Sequence, residues 1–123
     1  MFYIYNINKQ AMIERTLLKV LEQRIDYKKA LIIFGPRQTG KTTLAKALAD
    51  QLQQPVEYFN GDAAVTKSLW KVENIAALKQ SFGTKKIVIL DEAQMIEQVG
   101  MICKQLIDAN LGIQFIIACL FIL

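Results

Sequence analysis

GPRQTGKTT, Gly35 to Thr43, limits what this chain can fold into more than any other stretch. It fits G-x-x-x-x-G-K-[ST] in full and stands between ALIIF (30–34) and LAKALADQL (44–52). The first flank is an unbroken apolar run, as in a strand buried on both faces. The second carries Leu44, Leu48 and Leu52 at helical spacing, which predicts a helix over Thr42–Leu52. A strand, a glycine loop and a helix in that order aim the loop amides and the helix N-terminus at one point, and that point attracts phosphate. Gly35 and Gly40 allow backbone angles that side chains disfavour. Lys41 reaches the β- and γ-phosphates as a point charge, and the Thr42 hydroxyl suits Mg²⁺, a cation that prefers oxygen. Pro36, Arg37, Gln38, Thr39 and Thr43 complete the loop. Arg37 and Gln38 sit at its crown, where a solvated position explains them as well as a role in catalysis.

IVILDEAQ is the matching half. Four apolar residues run into Asp91 and Glu92 at the C-terminal end of a predicted strand, Lys86–Leu90, where α/β sheets place their ligands. Asp91 is expected to hold Mg²⁺ through water, and Glu92 to polarise an attacking water as general base. Acidic residues often follow strands, so this stretch gains its meaning from its place behind the phosphate loop.

Strand-like and helix-like segments alternate along the rest of the 123 residues, which predicts one small α/β domain with a mostly parallel sheet. Residues 11–24 carry Ile13, Leu17, Val20 and Leu21 at helical spacing, so 1–29 reads as a helical lead-in. VEYFN (56–60) reads as a strand, with Gly61-Asp62 as the turn after it. Residues 63–70 and 73–82 read as short helices, the second closed by Gly83-Thr84. Residues 96–110 read as a helix with Val99, Ile102, Cys103 and Leu106 inward and Gly112 as its cap. IQFIIACLFIL, from Ile113 to Leu123, reads as strand throughout.

Asn60-Gly61-Asp62 ends its strand on the same edge as Asp91, so it either lines the site or is a plain turn. Trp70 reads as a core anchor rather than a base stacker. Phe2, Tyr3 and Tyr5 alternate loosely with Ile4 and Ile7, as in a strand or a packing arm. The two cysteines, Cys103 and Cys119, read as buried and reduced, and a chain without histidine makes a poor zinc site. A net charge of +4 without a Lys/Arg block gives no case for nucleic acid. The longest apolar run, Phe115–Leu123, is shorter than the roughly 20 residues a membrane-spanning helix needs. The expectation is a cytoplasmic protein that does not cross the membrane.

IERTLL, LIIFGPRQTGKTTLAKAL, YFNGD and KIVILDEAQMIE, in this order and spacing, resemble the bacterial and archaeal P-loop ATPases of the AAA superfamily that usually precede a C-terminal domain of unknown function. The resemblance covers about residues 12–117. It implies a three-layer P-loop fold with sheet order 1-4-3-2, ATP and Mg²⁺ as ligands, Gly35–Thr43 as phosphate loop, and Asp91-Glu92 as the metal and water-activating pair. It also implies ATP-driven work on a partner protein or nucleic acid.

Against that family, Ala118 and Cys119 stand where a polar, γ-phosphate-sensing residue is expected. The chain therefore reads as truncated before the sensor turn and lid, and its fold as incomplete at the C-terminus. ALIIF is then expected to be an open sheet edge, free to pair with a second copy or a partner protein. Turnover by this chain alone is doubtful, because an arginine finger, which contributes on the order of 10³–10⁵ in rate, is missing. Two alternatives stand beside an ATPase domain: a remnant that binds nucleotide or a partner without catalysis, and an ATPase active only as an oligomer.

Overall fold

The computed structural model describes residues 2–6, 15–36 and 40–121. Five strands, β1 (Phe2–Asn6), β2 (Ala30–Phe34), β3 (Val56–Asn60), β4 (Ile87–Asp91) and β5 (Gln114–Cys119), form one sheet in the order β1-β2-β5-β4-β3. Every pairing is parallel. Parallel neighbours need long crossovers, and here helices supply them: α1 (Arg15–Glu22), α2 (Lys41–Leu52), α3 (Ala64–Leu69), α4 (Ile75–Phe82) and α5 (Val99–Asp108).

Successive residues of a strand point to opposite faces, so each apolar run feeds two cores. On one face Leu31, Ile33, Ile87, Ile89 and Ile116 meet Leu21 of α1 and Leu44, Ala45 and Leu48 of α2. On the other, Ala30, Ile32, Val88, Leu90, Phe115 and Ile117 meet Trp70, Leu78, Phe82, Ile102, Cys103 and Leu106. Burial of both faces is why β2, β4 and β5 read as unbroken apolar runs. The second core is aromatic: Phe59 stands edge-on to Trp70 at 5.5 Å and Phe82 edge-on to Phe115 at 5.7 Å. Such pairs contribute about 0.5–1.5 kcal/mol each beyond the area they bury.

The fold is the three-layer P-loop architecture with the four expected strands in the expected 1-4-3-2 order. The edge is different. ALIIF is not open, because β1 pairs along its full length, from Phe2 opposite Ala30 to Asn6 opposite Phe34. The segment 1–29 is accordingly not a purely helical lead-in. Aromatic and β-branched residues favour a pleated ladder, and an unpaired row of N–H and C=O groups on β2 offers one. Docking to a partner through an open ALIIF edge is thereby overturned.

Smaller corrections follow from backbone geometry. The helix expected over 96–110 starts at Val99, because Gln98 takes a left-handed φ of 55° and 93–95 form a short 3₁₀ turn. Asn110, at φ 56°, turns the chain behind that helix, two residues before Gly112. Val20 is exposed rather than inward, and Ile13 lies outside the described residues. The last strand ends at Cys119, and Phe121 is exposed. Gln114, buried at the start of β5, accepts the Asp26 N–H at 2.9 Å and donates to the Lys29 and Phe115 carbonyls. A fully bonded amide of this kind fixes the loop leading into β2.

Candidate functional site

The site forms where α2, β3, β4 and β5 converge at the C-terminal edge of the sheet. Gly40 begins α2 with φ 87°, a left-handed conformation that favours glycine, and among the described residues no side chain caps the helix. The first-turn amides therefore keep their capacity to bond an anion. The Gly35 N–H donates to the Cys119 carbonyl at 3.3 Å, fastening the start of the loop to the end of β5. Lys41 is buried, and its ammonium donates to the carbonyls of Gly35 at 2.7 Å and Pro36 at 2.8 Å. Thr43 is exposed. Arg37, Gln38 and Thr39 lie outside the described residues.

Asp91 is the hub of the opposite corner. Its Oδ2 accepts the Thr42 hydroxyl at 2.6 Å and the Tyr58 hydroxyl at 2.7 Å, while Oδ1 accepts the Glu92 N–H at 2.9 Å. Its carbonyl accepts the Gly61 N–H at 2.7 Å. Thr42 and Asp91 are thus brought together across 49 residues of chain. Glu92 follows in a left-handed conformation, φ 51°, unusual for a residue with a long side chain and the kind of strain that gathers at functional sites. Gln94 donates to its Oε2 at 2.7 Å and, through its own carbonyl oxygen, accepts the Leu120 N–H at 3.0 Å.

Three of these contacts escaped the sequence reading: Tyr58, the close approach of Gly61, and the bridge made by Gln94. A Cβ built on Gly61 would overlap the Glu92 carbonyl oxygen and come within 2.9 Å of the Asp91 oxygen, so glycine is required by space and not by φ. The turn reading of Asn60-Gly61-Asp62 holds for the side chains: Asn60 Oδ1 accepts the Asp62 N–H at 3.0 Å, and Asp62 lies 3.9 Å from Lys67 Nζ. Gly61 lines the acid turn with backbone alone. Tyr58 had a signal, a hydroxyl near the C-terminal end of a strand adjacent to β4, but its use depends on the register that sets Asn60 opposite Asp91.

Burial, then the hydrogen bond from its hydroxyl to Asp91 and the charges of Asp91 and Glu92, pushes the Tyr58 phenol well above its ordinary range. Lys46, one turn after Thr42 on α2, lies 4.5 Å from the Tyr58 ring centre. Both thiols are free and buried; burial pushes Cys103 up to about 12 and Cys119 up to about 11. The nearby Lys41 charge acts on Cys119 in the opposite sense. Trp70 is a core anchor, almost fully buried.

A family model described as AAA domain matches residues 27–119. The chain belongs to the AAA domain family. This AAA domain is 35% identical to the replication factor C large subunit of Methanosarcina acetivorans over 94 residues, 72% of the chain and 15% of that protein. It is 38% identical to that of Methanosarcina mazei over 73 residues, 56% of the chain and 12% of that protein. It is 35% identical to that of Natronomonas pharaonis over 77 residues, 59% of the chain and 16% of that protein. The AAA domain thus spans between 12% and 16% of the length of these curated relatives. No solved structure matches it. Among the described residues no helix is long and apolar enough to cross a membrane.

Proposed function

We propose that this AAA domain binds Mg·ATP, with Gly35 to Thr43 as the phosphate loop and Asp91-Glu92 as its acidic partner. The observation that carries this reading is the 2.6 Å hydrogen bond from Thr42 to Asp91. It sets a hydroxyl of the phosphate-loop helix and a carboxylate of β4 at one place. The donor set suits Mg²⁺, which takes few protein oxygens and completes its shell with water and substrate phosphate. Among the described residues no group of three His, Cys, Asp or Glu side chains gathers into a protein-only metal cage.

Lys41 and the amides of Gly35 to Thr43 hold phosphate, with Pro36, Arg37, Gln38 and Thr39 forming the loop around it. Thr42 would ligate the metal, and Asp91 would hold it through water. When bound, Mg²⁺ would supply positive charge to offset that of the nucleotide phosphates. Glu92 orients and deprotonates the attacking water, so ATP hydrolysis is the reaction this arrangement serves. Lys41 already points along the loop and is desolvated there, so its charge acts on phosphate at low local dielectric.

One observation favours a second reading, in which the chain binds nucleotide without turning it over. The Glu92 carboxylate accepts a hydrogen bond from Gln94, which is anchored in turn to Leu120. Oligomer neighbours and a partner protein are further proposals, carried by likeness to the replication factor C large subunits. So is a cytoplasmic location.

A thermal-shift titration with ATP and Mg²⁺ tests the main reading. Ligand at 100 times Kd stabilises a folded domain by about 2.7 kcal/mol. The expected outcome is a saturable rise in Tm that Lys41→Ala abolishes. A rise that survives Lys41→Ala would move the nucleotide elsewhere.

A further inference from the structure

We propose that Tyr58 is a positioning residue for the metal-side carboxylate: its hydroxyl, together with that of Thr42, fixes the Asp91 side chain in the orientation that holds Mg²⁺. This inference rests on the Mg·ATP reading above. Asp91 Oδ2 receives two hydroxyl donors from two different elements, at 2.6 Å from α2 and 2.7 Å from β3. Oδ1 receives a third donor from the Glu92 backbone. A carboxylate with one donor rotates about its terminal torsion, which has broad wells. Donors on both oxygens remove that freedom.

The geometry gives the two hydroxyls different tasks. Thr42 must turn a lone pair to the metal while it keeps donating to Asp91. The Tyr58 hydroxyl stays on Asp91 alone, so the carboxylate keeps its place while the Thr42 hydroxyl reorients toward the metal. The ring is held in turn. Lys46 Nζ lies 4.5 Å from its centre, which ties Tyr58 to the helix that carries Lys41 and Thr42. A cation over an aromatic face is attracted by the ring quadrupole. Tyr58 thus touches both halves of the site, the phosphate-loop helix through its ring and the acidic strand through its hydroxyl. It donates to a carboxylate oxygen and is 37% exposed, so solvent moderates but does not replace the bond.

The test is the Mg²⁺ dependence of ATP binding by the 123-residue chain, read as Tm shift at fixed ATP across a Mg²⁺ titration, with a parallel ATP titration in EDTA. Tyr58→Phe keeps the ring and removes the hydroxyl. It is expected to raise the half-saturating Mg²⁺ concentration about three- to tenfold, the range for losing one hydrogen bond, with ATP affinity in EDTA unchanged. Lys46→Met keeps the hydroxyl and removes the cation, and is expected to stay within about twofold of the wild type.

An unchanged Mg²⁺ midpoint in Tyr58→Phe overturns the proposal. So does an equal loss in EDTA, which would make the tyrosine part of nucleotide binding in general. So does a Tyr58→Phe chain without a cooperative melt, which would make the hydroxyl a folding determinant. A Lys46→Met midpoint matching that of Tyr58→Phe would assign the effect to the ring stack instead. A wild-type chain that shows no ATP-dependent shift overturns the Mg·ATP reading itself, and is distinguished by failing before any variant is made.

Discussion

The two corners of the site are built in opposite ways. At the phosphate-loop corner, Lys41 bonds to carbonyls six and five residues back along the chain. At the acidic corner, Asp91 bonds to side chains 49 and 33 residues away, and its carbonyl takes the N–H of Gly61. The first corner forms wherever β2 runs into α2. The second forms only when β3 and β4 pair in one register, since a slip of one residue would carry Tyr58 to the other face of the sheet. A change in the first corner therefore acts mainly on ligand binding, and a change in the long-range contacts that hold Asp91 acts on binding and stability together.

The largest effect expected is on chemistry. On the hydrolase reading, Glu92→Gln keeps size and loses the proposed base, so turnover should fall about 10²- to 10⁴-fold with the ATP-dependent Tm shift retained. Steady-state phosphate release checks it. A chain with no turnover to lose would favour the binding-only reading, and equal turnover in both would remove Glu92 from the mechanism. Gly61→Ala tests the long-range corner directly. A methyl group there meets the Asp91-Glu92 backbone, which cannot yield as a flexible side chain would. Destabilisation of about 1–3 kcal/mol is expected, from overpacking. That lowers Tm by about 4 °C or more on thermal unfolding. A Gly61→Ala chain that melts and binds like the wild type would break the contrast drawn between the corners.

The smallest effect serves as a control away from both corners. Burial pushes the Cys103 thiol from 9.0 up to about 12, with the neighbouring Cys119 adding to it. The folded state keeps this proton more tightly than the unfolded state. Its contribution is therefore fully present below about pH 9 and is lost as pH rises toward about 12. Cys103→Ala is expected to flatten the fall of Tm over that alkaline window while leaving the ATP-dependent shift at neutral pH as it was. An unchanged alkaline slope would mean that other groups set the pH limit.

How much of this was legible in sequence follows from the same distinction. VEYFN was placed residue for residue, as was the inward face of α5, because apolar runs and 3.6-residue spacing are local signals. The loop from Gly35, the helix behind it and Asp91-Glu92 were found by pattern and position. β1 was not assigned, since a short aromatic segment reads equally as strand or arm until a partner edge is known. The start of α5 was misplaced by three residues, because the left-handed Gln98 has no glycine or proline to announce it.

The central strand order was implied by the resemblance to P-loop ATPases; by itself the sequence determined the layers and the phosphate-loop pattern of the candidate site. Each rests on residues close in the chain, where spacing and backbone preference act directly. Only the tertiary structure decided that Phe2–Asn6 covers ALIIF, that Tyr58 and Thr42 share one oxygen of Asp91, and that Gly61 must lack a side chain. Those features depend on strand register and on distances between distant segments. The physical reason is that hydrogen bonds and steric contacts fall away within a few ångströms. Which atoms come that close is settled by the packing of the whole sheet.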